Sequence, residues 1–217
     1  MNRELLIYGA GGAGRELAFS LSLEKDPNVA WNVLGFVDDT QELQGTIVND
    51  LPVLGGYDWL KENGGQIAVC IVDKPKIKRQ LVTKIKAISN IKFPLIIGSH
   101  SYVSKFIEWG EGCIVAQLFN HITTNIKIGN FVWINSYNAI GHDVKIGDYT
   151  TMFSSINIGG GAEIGADCVI GSGVTINPHV KIGNGSIVGG GSVVTKDIPK
   201  NVVVAGVPAK VIKEITV

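Results

Sequence analysis

The chain has 217 residues, and 19 Lys and Arg balance 19 Asp and Glu, so its formal net charge is zero. Neutrality without a basic run argues against a nucleic-acid partner and against a charge-driven hold on anionic membranes. A hydrophobic fraction of 45% with 18% charged residues excludes a disordered chain. Gly supplies 28 residues, well above the usual share of roughly 7%, and that excess needs an architectural cause.

The three cysteines, Cys70, Cys113 and Cys168, are odd in number and widely spaced, with no C-x-x-C pair. That argues against a disulfide framework and against a cysteine zinc site. The four His are equally scattered, so no metal is expected. The chain runs from Met1 straight into the strand-like Leu5-Leu6-Ile7-Tyr8, without an apolar leader and cleavage site, and no apolar run approaches 18 residues. The expectation is no signal peptide, no membrane span and a cytoplasmic compartment.

In chain order, Leu5 to Tyr8 reads as a strand that ends at Gly9, and Arg15 to Leu23 as a helix with Leu17, Ala18 and Leu21 on one face. Trp31 to Val37 is a second strand, halted by Asp38-Asp39, and Gln66 to Val72 a third. Lys76 to Ser89 is a second helix, and Phe93 to Ile97 a fourth apolar run. This alternation predicts a small parallel α/β sheet over residues 1–98. Gly9-x-Gly11-x-x-Gly14, with Gly12 inside it, follows a strand and opens a helix. That context suits close approach of a phosphate or ribose to the backbone. Asp38-Asp39 stand where an acidic residue binds ribose in dinucleotide folds, although residues 1–98 are short for a full NAD domain.

The second half, residues 99–217, changes period. Every sixth residue from Ile128 to Val194 is Ile, Val or Met, and Ile122 extends the frame backwards. A looser version reaches Val103, with a one-residue slip near Val115 to Ile122. Gly follows the sixth-place residue at Gly129, Gly141, Gly147, Gly159, Gly165, Gly171, Gly183 and Gly189, where it is expected to permit the turn. Small or branched side chains, such as Ala162, Cys168 and Val174, stand two places before it. A helical period of 3.6 cannot produce a strict sixth step. The pattern predicts a solenoid of short strands, three to a triangular coil, about five coils in all. Exposed sheet faces and edges predict an oligomer, and a triangular prism suits a homotrimer.

The hexad run, the Ile140-Gly141-His142-Asp143 corner, the stretch Ile187 to Ser192 and the terminal Ala205-Gly206-Val207-Pro208-Ala209-Lys210 resemble the hexapeptide-repeat acyltransferases. Tyr8 to Gly14 with Gly35-Phe36-Val37-Asp38-Asp39 narrows the resemblance to sugar acetyltransferases of the PglD/NeuD type. It covers nearly the whole chain. It implies a Rossmann-like nucleotide-sugar-binding domain over 1–98, a left-handed parallel β-helix over 99–217, and acetyl-CoA as co-substrate. The implied activity is N-acetylation of a UDP-, GDP- or dTDP-linked 4-amino-dideoxy sugar for surface glycan synthesis. O-acetylation of sialic acid or another small hydroxyl acceptor stays open, as does a non-catalytic nucleotide-sugar-binding solenoid.

Imidazole titrates near working pH, so His142 is the candidate general base, with Asp143 to orient it. The resemblance implies that Gly9, Gly11, Gly12, Gly14, Asp38 and Asp39 grip the nucleotide, a reading preferred over NAD. It also implies that Asn135 helps place the sugar, unless Asn135 belongs to an internal Asn ladder. Thr151 stands where some relatives carry a second His against the acetyl group; its hydroxyl, or the backbone N–H of Gly160, would then donate to the thioester carbonyl. Gly160, Ser172, Gly190, Pro208 and Lys210 match positions that line CoA. His100, His121 and His179 read as structural or merely exposed.

Overall fold

The computed structural model describes residues 3–26, 30–115 and 118–216. The chain divides into two compact units, Met1–Pro94 and Leu95–Val217.

In the first unit, β1 (Glu4–Tyr8) leads to α1 (Gly12–Ser22), β2 (Asn32–Val37), β3 (Ile47–Val48), β4 (Leu51–Gly55), α2 (Tyr57–Asn63), β5 (Gly65–Val69), α3 (Pro75–Lys86) and β6 (Ile91–Lys92). The sheet order is β3-β4-β2-β1-β5-β6. All pairings are parallel except β3 with β4. Leu5, Ile7, Phe36, Val53 and Ile67 are buried in this unit, and α1 buries Leu17, Ala18 and Leu21.

Residues 40–63, whose sequence shows no clear period, hold a hairpin and a helix. The hairpin's signal was the Asn49-Asp50 pair, whose φ values of 46° and 65° form the two-residue turn between β3 and β4. The fourth apolar run is also divided differently from the expectation. The strand of the first unit ends at Lys92, and Ile96–Ile97 pairs with Ile114–Val115 in the second unit. Pro94, which lacks an N–H, separates the two.

The second unit is a β-solenoid with three walls. Strands stack in parallel, mostly 18 residues apart: Ile128 pairs with Ile146, Ile140 with Ile158, and Ile170 with Val188. The first face runs from Ile96–Ile97 to Val202–Ala205, the second from Tyr102–Val103 to Val193–Val194, and the third from Ile107–Trp109 to Lys181–Ile182. The stack begins at Ile96, earlier than the hexad count suggested. The slip is one residue: Tyr102 pairs with His121 but His121 with Ala139. The extra residue therefore lies between Val115 and His121.

The sixth-place residues from Ile128 to Val194 are all at most 4% exposed and fill the prism, with Ala162, Cys168 and Val174 beside them. Burying each such aliphatic side chain is worth about 1.5–3 kcal/mol.

The role expected for the glycines is corrected. Those that follow the sixth-place residue do not supply the left-handed turn. At Gly141 a β-carbon would lie 2.8 Å from Gly160 N, and at Gly147 it would strike Ala166 of the next coil. Close coil stacking excludes a side chain there. The left-handed residue stands two places further on, and it is Asn125, Phe131, Tyr137, Asp143, Tyr149, Ser155, Asp167 or His179 more often than Gly, with φ between 55° and 71°. Most of these corners are held by an N–H from that residue to the preceding coil, as in Asp143 to Thr124 O at 3.1 Å and Gly161 to His142 O at 2.8 Å.

Inside one corner runs an asparagine ladder. Asn120 Oδ1 accepts the Asn138 N–H at 3.0 Å, and Asn138 Oδ1 accepts the Ile156 N–H at 2.9 Å. Both side chains are buried. The tail closes the stack: Ile198 bridges to Ile182, Ala209 N–H donates to Val193 O, and Lys210–Glu214 pairs antiparallel with Val202–Ala205. No helix among the described residues is long and apolar enough to cross a membrane.

Replacing Asn138 with Ala orphans the Ile156 N–H and the Asn135 carbonyl, which accepts Asn138 Nδ2 at 2.7 Å. Denaturant unfolding of Asn138→Ala should show a loss of about 1–3 kcal/mol. Unchanged stability would mean the ladder contributes nothing.

Candidate active site

His142 sits on the corner between the second and third faces, between Ala139–Ile140 and Lys145–Ile146. The left-handed backbone at Asp143 (φ 60°) turns its carboxylate back onto the neighbouring ring, and His142 Nδ1 lies 2.7 Å from Asp143 Oδ2. With Nδ1–H donating to that carboxylate, Nε2 keeps its lone pair, the tautomer a base requires. Both side chains are open, at 64% and 58% exposure. The hydrogen bond from His142 holds the Asp143 carboxyl below the usual carboxylate range, slight desolvation opposes this, and the Asn125 amide adds to the lowering. Asn125 carries no motif of its own in the sequence. The signal that marks it is the coil repeat, which puts it on the same corner one turn before Asp143.

The floor beneath the ring is Gly160. A β-carbon there would lie 2.6 Å from His142 Nε2, so a side chain at 160 would push the imidazole off this position. The N–H groups of Gly159 and Gly161 donate to Ile176 O and His142 O. Among the described residues the Gly160 N–H between them has no acceptor. An unspent amide thus lies beside the unspent imidazole nitrogen.

Ser172 and Gly190 share a different corner, between the first and second faces, on adjacent coils: the Gly191 N–H donates to Ser172 O at 2.8 Å. Pro208 and Lys210 lie exposed in the tail, where Gly206 O accepts the Val193 N–H at 3.1 Å. Gly160 and the Ser172–Gly190 pair therefore border the second face from its two corners, and the tail lies at the face's end. The outward residues of the second face, such as Ala139, Asn157 and Thr175, are uncharged. The third face instead carries ion pairs, Lys127 with Glu108 at 3.0 Å and Lys145 with Glu163 at 3.2 Å.

Two expected site residues stand elsewhere. Thr151 is on the first face, paired with Trp133 and Val169, and its hydroxyl is buried without a partner among the described residues. It is on a different wall from the strands flanking His142, and its burial keeps the hydroxyl from a ligand. Asn135 is not a member of the asparagine ladder. Its Oδ1 accepts the Ser136 N–H at 2.9 Å, and only its carbonyl meets Asn138. Of the other histidines, His121 lies in an exposed strand of the second face, and His100 Nδ1 meets Ser99 Oγ at 3.0 Å.

In the first unit, Gly9 (φ 106°) turns the chain out of β1, and Gly14 packs so closely on Gly9 O that no β-carbon fits. Gly11 and Gly12 face open space at the start of α1, whose first turn carries no acidic residue. A helix start of that kind favours an anion. Asp38 holds the loop in place, accepting the Ala10 N–H through Oδ2 at 2.8 Å and the Thr40 N–H through Oδ1 at 2.9 Å. Asp39 accepts the Tyr57 N–H at 2.8 Å and the Tyr8 hydroxyl at 2.6 Å. Burial, and then this bond to Asp39, push the Tyr8 hydroxyl pKa up. The paired Asp residues are therefore braces of the loop. Among the described residues no cluster of His, Cys, Asp and Glu could hold a metal ion.

Residues 161–196 match the family model described as bacterial transferase hexapeptide (six repeats). No curated protein matches the chain. Solved structures match it over nearly its whole length. A histidine-to-asparagine variant of perosamine N-acetyltransferase from Caulobacter crescentus, in complex with CoA and GDP-perosamine, superposes with a TM-score of 0.87 at 26% identity over 97% of both chains. The acetyltransferase domain of PglB from Neisseria gonorrhoeae gives 0.81 at 27%, over 97% of this chain and 100% of that one. WeeI from Acinetobacter baumannii gives 0.68 at 26%, over 96% and 99%.

Asp38 gives the first unit a pH signature. Burial raises its pKa, but the Ala10 and Thr40 hydrogen bonds outweigh that, and the net shift is downward from 3.8. Its contribution to stability is therefore full above the unfolded value and is lost as pH falls through the lower folded value. Asp38→Asn should cost about 1 kcal/mol at pH 7, and the gap to wild type should close towards pH 3. Unfolding curves across pH check this, and a gap that does not change with pH would refute it.

Proposed function

We propose that this hexapeptide-repeat sugar acetyltransferase moves the acetyl group of acetyl-CoA onto the amine of a nucleotide-linked amino sugar, with His142 as general base. The observation that carries the reading is the juxtaposition at one corner of a carboxylate-braced imidazole with free Nε2 and an unspent backbone N–H at Gly160. The relatives held with CoA and GDP-perosamine support the choice of substrates. A histidine replaced in two of those structures supports an imidazole at the centre of the reaction.

In the reaction the amine nitrogen attacks the thioester carbonyl carbon. The carbonyl π pair moves to oxygen, where the Gly160 N–H meets the developing charge. His142 Nε2 takes the amine proton, and the Asp143 carboxylate stabilises the imidazolium. Collapse of the tetrahedral adduct re-forms the carbonyl and expels the CoA thiolate, which receives the proton from His142. Holding the amine and the thioester together at His142 supplies a large part of the rate gain.

The second face, between Gly160 on one corner and Ser172 and Gly190 on the other, is the proposed bed of CoA, with Pro208 and Lys210 at its end. Lys210 offers a positive charge to a phosphate. The first unit, read as Rossmann-like, takes the nucleotide through Gly9, Gly11, Gly12 and Gly14 with Asp38 and Asp39. Asn135 remains a proposed sugar contact through its half-exposed side chain, and Thr151 is dropped. The assembly is a homotrimer of left-handed prisms, and the uncharged second face favours such packing over the ion-paired third face. Three free, buried cysteines suit a reducing cytoplasm.

Steady-state rates with acetyl-CoA and a panel of nucleotide-linked amino sugars, beside their hydroxyl counterparts, test the reading. His142→Ala should lower kcat at least about 100-fold, while calorimetry should still find CoA bound and light scattering a trimer. Undiminished kcat in the variant would sink the assignment of the base.

A further inference from the structure

The floor of the His142 corner is two glycines wide. Gly160 lies under the His142 ring, and Gly161, at φ 68°, lies under a second imidazole: a β-carbon on Gly161 would be 2.5 Å from His179 Nδ1 and 2.8 Å from its Cε1. His142 and His179 belong to coils on opposite sides of the coil that carries the glycines. The Gly161 N–H donates to His142 O at 2.8 Å, and the His179 N–H donates to Gly160 O at 3.0 Å. One ring leans over the glycine pair from each side. Consecutive α-carbons are about 3.8 Å apart, so the two rings flank adjacent positions of one coil. A side chain at 160 or 161 would meet one ring or the other.

His179 is exposed, and no hydrogen bond of its ring is found among the described residues. It follows Pro178 and holds the left-handed conformation (φ 62°) that places its ring on this side of the corner. It lies on the later coils, towards Pro208 and Lys210, and so on the side proposed for CoA. The Asn125–Asp143 side is occupied by the brace of the base.

We infer that His179 is a catalytic residue of the proposed acetyl transfer, donating a hydrogen bond from Nδ1 to the thioester carbonyl oxygen as it gains negative charge, alongside the Gly160 N–H. The inference rests on the acetyl-transfer reading. The proton of the amine still passes to His142 Nε2 and then to the thiolate. His179 keeps its own proton throughout and contributes only the hydrogen bond.

The left-handed backbone at 179 accepts Gly and Asn without added strain, so two variants separate chemistry from folding. His179→Gly removes the ring, and its kcat should fall about 100-fold, the scale of losing one oxyanion donor, with KM for acetyl-CoA and for the sugar within about twofold. His179→Asn carries an amide at the place of Nδ1 and should retain most of kcat. His179→Gln, whose amide falls nearer the place of Nε2, should not.

Thermal unfolding midpoints should match wild type for the Gly and Asn variants. Unchanged kcat in His179→Gly overturns the inference, as does a rise in sugar KM alone, which would make His179 a ground-state sugar contact. His142→Ala measured alongside keeps the two claims apart. If His142→Ala is dead and His179→Gly is intact, only this inference fails; if His142→Ala is fully active, the reading beneath it fails.

Discussion

The structure of the second unit depends on one constraint: neighbouring coils must stack at hydrogen-bonding distance along all three walls. Everything chemically interesting at the corner follows from it. Stacking at that distance leaves no room for a β-carbon at several places where the chain leaves a strand, as at Gly141 and Gly147. It also requires a left-handed residue further round each corner, which hands its N–H back to the coil before. The hydrophobic column from Ile128 to Val194 fills the interior and sets the strand spacing. The corner geometry decides which polar groups are left unspent on the outside.

His142 and Asp143 show how that geometry becomes a site. A helix or an ordinary strand would carry two successive side chains away from one another, on different bearings. The left-handed turn at Asp143 brings the carboxylate back to its neighbour's ring at 2.7 Å. The next coil then offers two glycines where other corners carry Asp148-Tyr149 or Ala166-Asp167, and the space they free holds the imidazole. The amide at Gly160 stays free because no carbonyl or side chain of an adjoining coil reaches it. The site is therefore a local omission in the column of this one corner, which otherwise carries Thr124-Asn125, His142-Asp143 and Pro178-His179.

Much of this was legible in the sequence, because a sixth-place aliphatic column is a one-dimensional record of a three-walled prism. The one-residue slip near Val115 was visible for the same reason. What the period could not show was which residues meet across coils. Asn125 beside Asp143, and His179 over Gly161, are separated by a whole coil, and only the true stacking register pairs them. Thr151 came from the resemblance alone, as the place where some relatives carry a second His. Half a coil along the chain leads to another wall, and there its hydroxyl is buried. The glycines were seen, but their cause was misjudged: they avoid a collision between coils and leave the turning to residues as large as Tyr149. In the first unit, the hairpin at Asn49-Asp50 was hidden by strands of two and five residues, too short to show a period.

The chain's last residues have an effect far from the chemistry. A stack of parallel rungs presents, at its final coil, donors and acceptors that would welcome another molecule's first rung, and copies could then join end on end into a fibre. Here Ile198 seals one wall, Gly206 and Ala209 a second, and the reversed strand Lys210–Glu214 the third. That strand runs against the grain of the stack and exposes Lys210, Lys213 and Glu214 beside Val211 and Ile212, so it does not continue the parallel ladder of the rungs before it. The same short segment that is proposed to meet the phosphates of CoA therefore also stops the repeat from becoming a filament.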